Sequence, residues 1–210
     1  MKTTKQIFAS VMTVGAMASA NALEIDIYGA FGMDDEPLET YMYTDGTESN
    51  LMAGEGQGIY LGHTQQIAGP VKMQVRGGIQ HGFITAVDGF YRDTFTYFPV
   101  YANVMVKVSR EISVVGGAFY AVNPFYKITE GDDSATLKLQ SDIGFNAALR
   151  WTMTPVAADS DATLFMEVRF EHANAEYTSF TNTLGGSGDL TGLREPIAIS
   201  NLGLAIGYRF

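Results

Sequence analysis

The chain has 210 residues, 46% of them hydrophobic and 17% charged, which suits one folded domain and excludes a disordered chain. A formal net charge of −10 removes the electrostatic basis for gripping nucleic-acid phosphates, and the absence of cysteine excludes disulfide frameworks, thiolate metal sites and thiol nucleophiles. Its 23 glycines and 12% aromatics with only 6 prolines describe a β-rich chain with tight turns.

At the start of the chain, Lys2 and Lys5 precede an uncharged apolar run, Ile7 to Ala18, and Ala20-Asn21-Ala22 supplies a small-x-small cleavage pattern. Residues 1–22 therefore read as a secretory signal peptide, and residues 23–210 as one exported domain of formal charge 11 − 23 = −12. The apolar run is shorter than the roughly 20 residues a membrane-spanning helix needs. No later stretch reads as such a helix, so the exported domain is either soluble or crosses lipid as strands.

Side chains on a strand alternate between two faces, and the chain repeats that pattern. Leu23, Ile25 and Ile27 alternate with Glu24, Asp26 and Tyr28; Val71, Met73, Val75 and Ile79 with Lys72, Gln74, Arg76 and Gln80. Phe98, Val100, Ala102, Val104, Val106 and Val108 oppose Tyr101, Asn103 and Lys107. The longest alternation runs from Leu137 to Met153: Leu137, Leu139, Ser141, Ile143, Phe145, Ala147, Leu149 and Trp151 against Lys138, Gln140, Asp142, Gly144, Asn146, Ala148 and Arg150. Leu164, Met166, Val168 and Phe170 then oppose Glu167, Arg169 and Glu171, and Ile197 to Phe210 is the last strand. With Gln57–Gln66 and Ile112–Val122, whose facing is ambiguous, the count is eight.

The connections alternate in length: 34–56, 84–96, 123–136 and 177–196 are long, whereas 67–70, 109–111 and 154–161 are short. Long outer loops, short inner turns and an even strand count predict an all-β, eight-stranded antiparallel up-and-down transmembrane barrel. An apolar exterior is favoured by the polar face, where Gly78, Gly144, Ala148, Gly203 and Gly207 would make room in a narrow lumen. That face carries Lys72, Arg76, Lys107, Lys138, Arg150, Arg169 and Arg209 against Glu24, Asp26, Asp142, Glu167 and Glu171, a nearly neutral 7 − 5 = +2. These twelve are the predicted lumen charges. A turn near Val156 would bring Arg150 near Glu167, and closure would set Arg209 beside Glu24 and Asp26.

The terminus reads Asn201-Leu-Gly203-Leu-Ala-Ile206-Gly-Tyr208-Arg-Phe210, with a final aromatic, another two residues before it and apolar residues at the preceding alternate positions. Here the chain resembles bacterial outer-membrane barrel proteins, and the mature chain is similar to the small eight-stranded barrels of the OmpA and OmpX type, ending at the last strand without a peptidoglycan-binding domain. The resemblance implies a Gram-negative outer-membrane location after secretion to the periplasm, and a monomer surrounded by outer-membrane lipid and lipopolysaccharide. It further implies that Asn201, Gly203, Ile206, Tyr208 and Phe210 form the signal read by the barrel-assembly machinery, with periplasmic chaperones as partners during biogenesis. No nucleic-acid partner is expected. Fold likeness does not fix function.

One barrel family, the lipid A deacylases, uses a lipid-facing His-x-Ser pair; here Glu171-His172-Ala173-Asn174 carries Asn where the nucleophile belongs. A lipid A-modifying hydrolase is thus a remote alternative, and no catalytic, cofactor-binding or metal residue is assigned. His63 and His81 fall near strand ends as interface or loop residues. Phe90, Tyr91, Phe95, Tyr97, Phe98, Phe125 and Tyr126 read as an outer aromatic belt. Asp34, Asp35, Glu36, Glu39, Asp45, Glu48 and Glu55 in the first loop and Glu130, Asp132 and Asp133 in the third suit calcium or magnesium, but match no EF-hand spacing and read as solvated loops. The expected role is non-enzymatic, in envelope structure or surface contacts through acidic loops. The alternative is a narrow channel for small or apolar solutes, which the lumen charges and Tyr28, Tyr60 and Tyr101 would obstruct.

Overall fold

A computed structural model of the chain describes residues 22–33, 36–43, 46–85, 91–153 and 162–210. The predicted signal peptide except Ala22, together with Asp34, Asp35, Asp45, Phe90 and the turn near Val156, lies outside the described residues. The strands are β1 (Ala22–Gly32), β2 (Glu39–Met42), β3 (Glu48–Leu51), β4 (Gly56–Ala68), β5 (Val71–Thr85), β6 (Tyr91–Lys107), β7 (Ile112–Glu130), β8 (Asp133–Ser141), β9 (Ile143–Thr152), β10 (Thr163–Asn182), β11 (Ser187–Asp189) and β12 (Ile197–Arg209). All pairings are antiparallel, and β12 pairs with β1 to close the sheet. Since β8 and β9 occupy one place between β7 and β10, the ring has eight strands.

The barrel is inverted relative to a soluble protein. Ile206, Ile27, Ile59 and Ile79 form one cross-strand row, and all four are exposed, Ile27 to 67%. Glu24, Asp26, Arg76, Arg150, Glu167, Arg169 and Glu171 on the opposite face are no more than 2% exposed. The two strands of ambiguous facing resolve accordingly: Tyr60 and Thr64 of β4, and Ser113, Val115 and Phe119 of β7, point inward. Their ambiguity came from Gly58 and Gly62, which bear no side chain, and from Val114 beside Val115, apolar on both faces. Lumen glycines seat rings: a Cβ on Gly203 would collide with Tyr28, one on Gly78 with Tyr60 and one on Gly207 with Phe165.

Strands β7 (19 residues) and β10 (20 residues) far exceed the roughly 9–11 residues needed to cross a bilayer. The connections read as long loops are therefore largely strand: β7 and β8 meet in a hairpin closed at Glu130 and Asp133. The first long connection holds the β2–β3 hairpin, and its Leu51 and Ala53 fill the outer end of the lumen.

The uninterrupted alternation from Leu137 to Met153 is corrected. Between the pairs Phe145–His172 and Ser141–Ala175, four steps along the β9–β8 strand oppose three along β10, so one residue is inserted next to Asp142. A one-residue slip reverses the faces. Leu137 and Leu139 of β8 are 5% exposed, while Ile143, Phe145, Leu149 and Trp151 of β9 are open to the exterior. Strand β7 carries a matching insertion, since Phe98 pairs with Val122 but Thr96 with Phe125, and Asn123 takes up the bulge with φ of 47°. Asn is among the few non-glycine residues that tolerate this left-handed backbone.

Candidate functional site

Arginines from the ring meet carboxylates across the bore. Arg76 of β5 binds Asp26 of β1 and reaches Glu167 of β10 at 3.1 Å. Arg150 of β9 spans to Glu24 of β1 at 2.9 Å and to Glu167 at 2.7 Å. Arg169 binds Glu167, with Glu171 at 3.4 Å. Glu167 thus serves three guanidinium groups. Glu24 also accepts from Thr64 at 2.8 Å and Gln74 at 2.7 Å, and Glu171 from Tyr101 at 2.8 Å and Asn201 at 3.0 Å. Rings sheathe the cations: Arg76 lies 4.7 Å from the Tyr60 centroid, Arg169 4.9 Å from Tyr101 and Arg150 4.0 Å from Phe165. Arginine suits such sites because its planar fork serves several acceptors and stacks on rings.

Seven of the twelve predicted lumen charges meet in this network, giving 3 − 4 = −1 rather than +2. Lys138 and Asp142 are corrected: both are exposed on the outer surface, because the insertion next to Asp142 reverses β8. Lys107 is exposed and Lys72 and Arg209 are half-buried, all at the inner rim rather than within the lumen. Closure sets Arg209 opposite Glu24 and diagonal to Asp26, as expected, while the ion pair of Glu24 is made with Arg150.

Above the ion network the same strands enclose an apolar interior continuous with the lumen rings Tyr28, Tyr60 and Tyr101. Phe95, Tyr97, Tyr126, Leu137, Leu139 and Tyr177 are buried there with Leu51 and Ile199. Phe95, Tyr97 and Tyr126 are therefore not belt residues; the outward aromatics include Phe31, Phe83, Phe98, Phe145 and Trp151. Tyr126 donates to Asp93 at 2.5 Å, and burial lifts the phenols of Tyr126 and Tyr177 above their ordinary pKa. At the β11 edge the Asp189 carboxylate accepts from the Thr191 hydroxyl at 2.7 Å and its amide at 2.9 Å, which holds its pKa below the usual value.

The outward face of this upper sheet carries Arg92, Lys127 and Lys138. Arg92 stands opposite Thr129, Lys127 opposite Thr94 and Thr136, and Lys138 opposite Phe125, so each is a diagonal neighbour of the next. Glu176, opposite Gln140, is an acidic residue on the same face. Glu130, Asp132 and Asp133 are exposed at the β7–β8 tip. Among the described residues, no group of three His, Asp or Glu is placed to hold a metal ion.

Of the terminal motif, Asn201 and Gly203 face the lumen, where Tyr28 donates to Asn201 at 2.6 Å. Ile206, Tyr208 and Phe210 face outward, with the two rings edge-on at 5.0 Å. His172 also faces outward, its Nδ1 2.7 Å from the Ser200 hydroxyl and its ring 5.6 Å from Phe145. Ser200 is only 7% exposed, which denies a bulky acyl substrate an approach to its hydroxyl. His81 similarly meets the Thr96 hydroxyl at 2.7 Å.

A closed eight-stranded ring with an apolar exterior, a charged interior and long strand extensions at one end defines the class: an outer-membrane β-barrel of eight strands. In fold the chain is similar to Ail, the attachment invasion locus protein of Yersinia pestis, whose crystal structure matches with a TM-score of 0.51 at 12% identity over 92% of this chain and 100% of that one. Ail in complex with the heparin analogue sucrose octasulfate gives 0.47 at 12% identity over 90% and 97%, and its backbone structure in a phospholipid bilayer nanodisc 0.43 at 16% over 90% and 99%. At these identities the likeness is one of fold. No protein-family model matches the sequence, and no curated protein matches it.

Proposed function

We propose that this protein is a non-enzymatic outer-membrane anchor that presents a folded β-sheet beyond the membrane for surface contacts. The carrying observation is the reversal of faces at Asn123 and Asp142, which gives the projecting strands an apolar core and a polar exterior of their own. From Ile112 to Val122, a rise of about 3.3 Å per residue at a tilt of about 40° covers roughly 25 Å, the height of a barrel's apolar band. Lys127 and Lys138 stand beyond that band, at the level of lipid head groups and above. With Arg92 they form a basic stripe suited to lipopolysaccharide phosphates, while the acidic hairpin tips reach past them.

The ion pairs that cross the bore weigh against the channel alternative. The terminal residues Ile206, Tyr208 and Phe210 remain outward on the strand that closes the barrel, a placement suited to recognition by the assembly machinery. A variant in which the extensions of β7, β8 and β10 are replaced by short turns should insert normally and lose attachment of expressing cells to surfaces. Undiminished attachment, or stable single-channel steps from the purified protein in planar bilayers, would overturn the proposal.

A further inference from the structure

Among the described residues, the ion network leaves out the cations at one rim of the barrel. Lys72, Lys107 and Arg209 lie at the end of the barrel where the turns are short, the periplasmic end of an outer-membrane barrel. Residues directly opposite in an antiparallel sheet share a face. Lys72 opposes buried Met105, Lys107 opposes buried Ser113, and Arg209 opposes buried Glu24 and Thr163, so all three stand on the lumen face of the rim. Lys107 is the diagonal neighbour of Lys72, and Lys72 feels the positive charges of Arg209, Lys107 and Arg150 and the negative charge of Glu24.

Among the described residues, none of the three cations is ion-paired. The carboxylate beside them, Glu24, is saturated by Arg150, Thr64 and Gln74. Glu111, on the same rim, accepts from the outward-facing Trp151 at 3.3 Å. Thr163 adds an independent observation: it is 9% exposed, lies on the lumen face opposite Arg209, and its hydroxyl has no partner among the described residues. Like charges at neighbouring positions repel unless an anion sits between them.

The geometry points to an anion site in the periplasmic mouth of the barrel, formed by Lys72, Lys107 and Arg209 with the Thr163 hydroxyl, and taking a phosphate-type oxyanion. Three cations and a hydroxyl supply the several donors that a tetrahedral oxyanion accepts. The phosphate can belong to a free periplasmic anion or to the head group of an anionic inner-leaflet lipid.

The test uses the full barrel refolded in octyl glucoside, which contains no phosphate, with Lys and Arg side-chain resonances followed by NMR. Inorganic phosphate is titrated at constant ionic strength against chloride, and in a second arm phosphatidylcholine nanodiscs are compared with and without phosphatidylglycerol. Saturable shifts at Lys72, Lys107 and Arg209 are expected in at least one arm, and the arm that responds identifies the source. Lys72→Gln, Lys107→Gln and Arg209→Gln should each weaken binding about tenfold, as loss of one charge-assisted contact does, whereas Lys72→Arg should preserve it and Arg194→Gln, an exposed residue between β11 and β12, leave it unchanged. Shifts no larger than those with chloride in both arms, or unchanged affinity in the triple variant, would refute the site. Should a variant fail to show the folded band, the wild-type titrations decide alone.

Discussion

The membrane-embedded part of the barrel and the sheet above it are made by the same strands with opposite polarity. Below the boundary the interior holds Arg76, Arg150, Arg169 and four carboxylates while Ile27, Leu149 and Leu204 face out. Above it Leu137, Leu139, Phe95 and Tyr126 are inside while Lys127 and Lys138 face out. The solvent differs, hydrocarbon in one case and water in the other, and the chain answers in two ways. Strand β10 keeps its phase as far as Tyr177 and changes residue type, from Glu171 to Ala173, Ala175 and Tyr177 inside and from Phe170 to Asn174 and Glu176 outside, before a register shift against β8 between Tyr177 and Ser179. The β7 strand and the β8–β9 pair keep their apolar alternation and insert one residue.

The largest effect is expected from Leu137→Asp combined with Leu139→Asp, which would bury two carboxylates without partners in the apolar interior above the barrel. Little heat-modifiable folded band should form on gels; a band at wild-type yield would mean that this interior is open to water and would remove the boundary between the two regions. Next, Glu167→Ala leaves three buried guanidinium groups without their shared acceptor, and guanidinium unfolding in vesicles should show a loss of about 3–5 kcal/mol. A loss below about 1 kcal/mol would mean that water screens the lumen.

Leu204→Arg, on the lipid face, should cost about 2–4 kcal/mol in the same assay. The same charge introduced by Gln140→Arg on the upper sheet should stay within about 0.5 kcal/mol. Equal costs would place both positions in one solvent. The smallest effect on stability is expected for Lys127→Gln with Lys138→Gln, within about 0.5 kcal/mol. That variant should nevertheless retain less lipopolysaccharide on purification, with a deficit that narrows as salt increases, because exposed charges are screened.

The pairing of Arg150 with Glu167 was legible because one hairpin joins their strands, and the facing of Glu24, Asp26, Arg76 and Arg169 followed from alternation. The faces of Leu137, Leu139 and Lys138 were not legible, because alternation fixes which residues share a face only until a residue is inserted. Two signals were present. Asn123-Pro124 marks a break in the strand. Residue type was the second: the cations deep in the lumen are all arginine, whereas Lys72, Lys107, Lys127 and Lys138 lie at a rim or outside. A lysine is a strongly hydrated point charge, ill suited to a dry network. Nothing at Asp142 itself, a polar residue between Ser141 and Ile143, distinguishes an insertion from an ordinary polar position.

The sequence alone determined the strand grammar, since period-two alternation is a local property of the backbone. It also determined the barrel class, because successive strands apolar on one face and charged on the other, joined by alternately long and short connections, imply a sheet closed in lipid. Only the tertiary structure decided where the outside of the strand becomes the inside. That choice rests on how many residues each neighbouring strand places across the boundary, a relation between strands that no single strand contains.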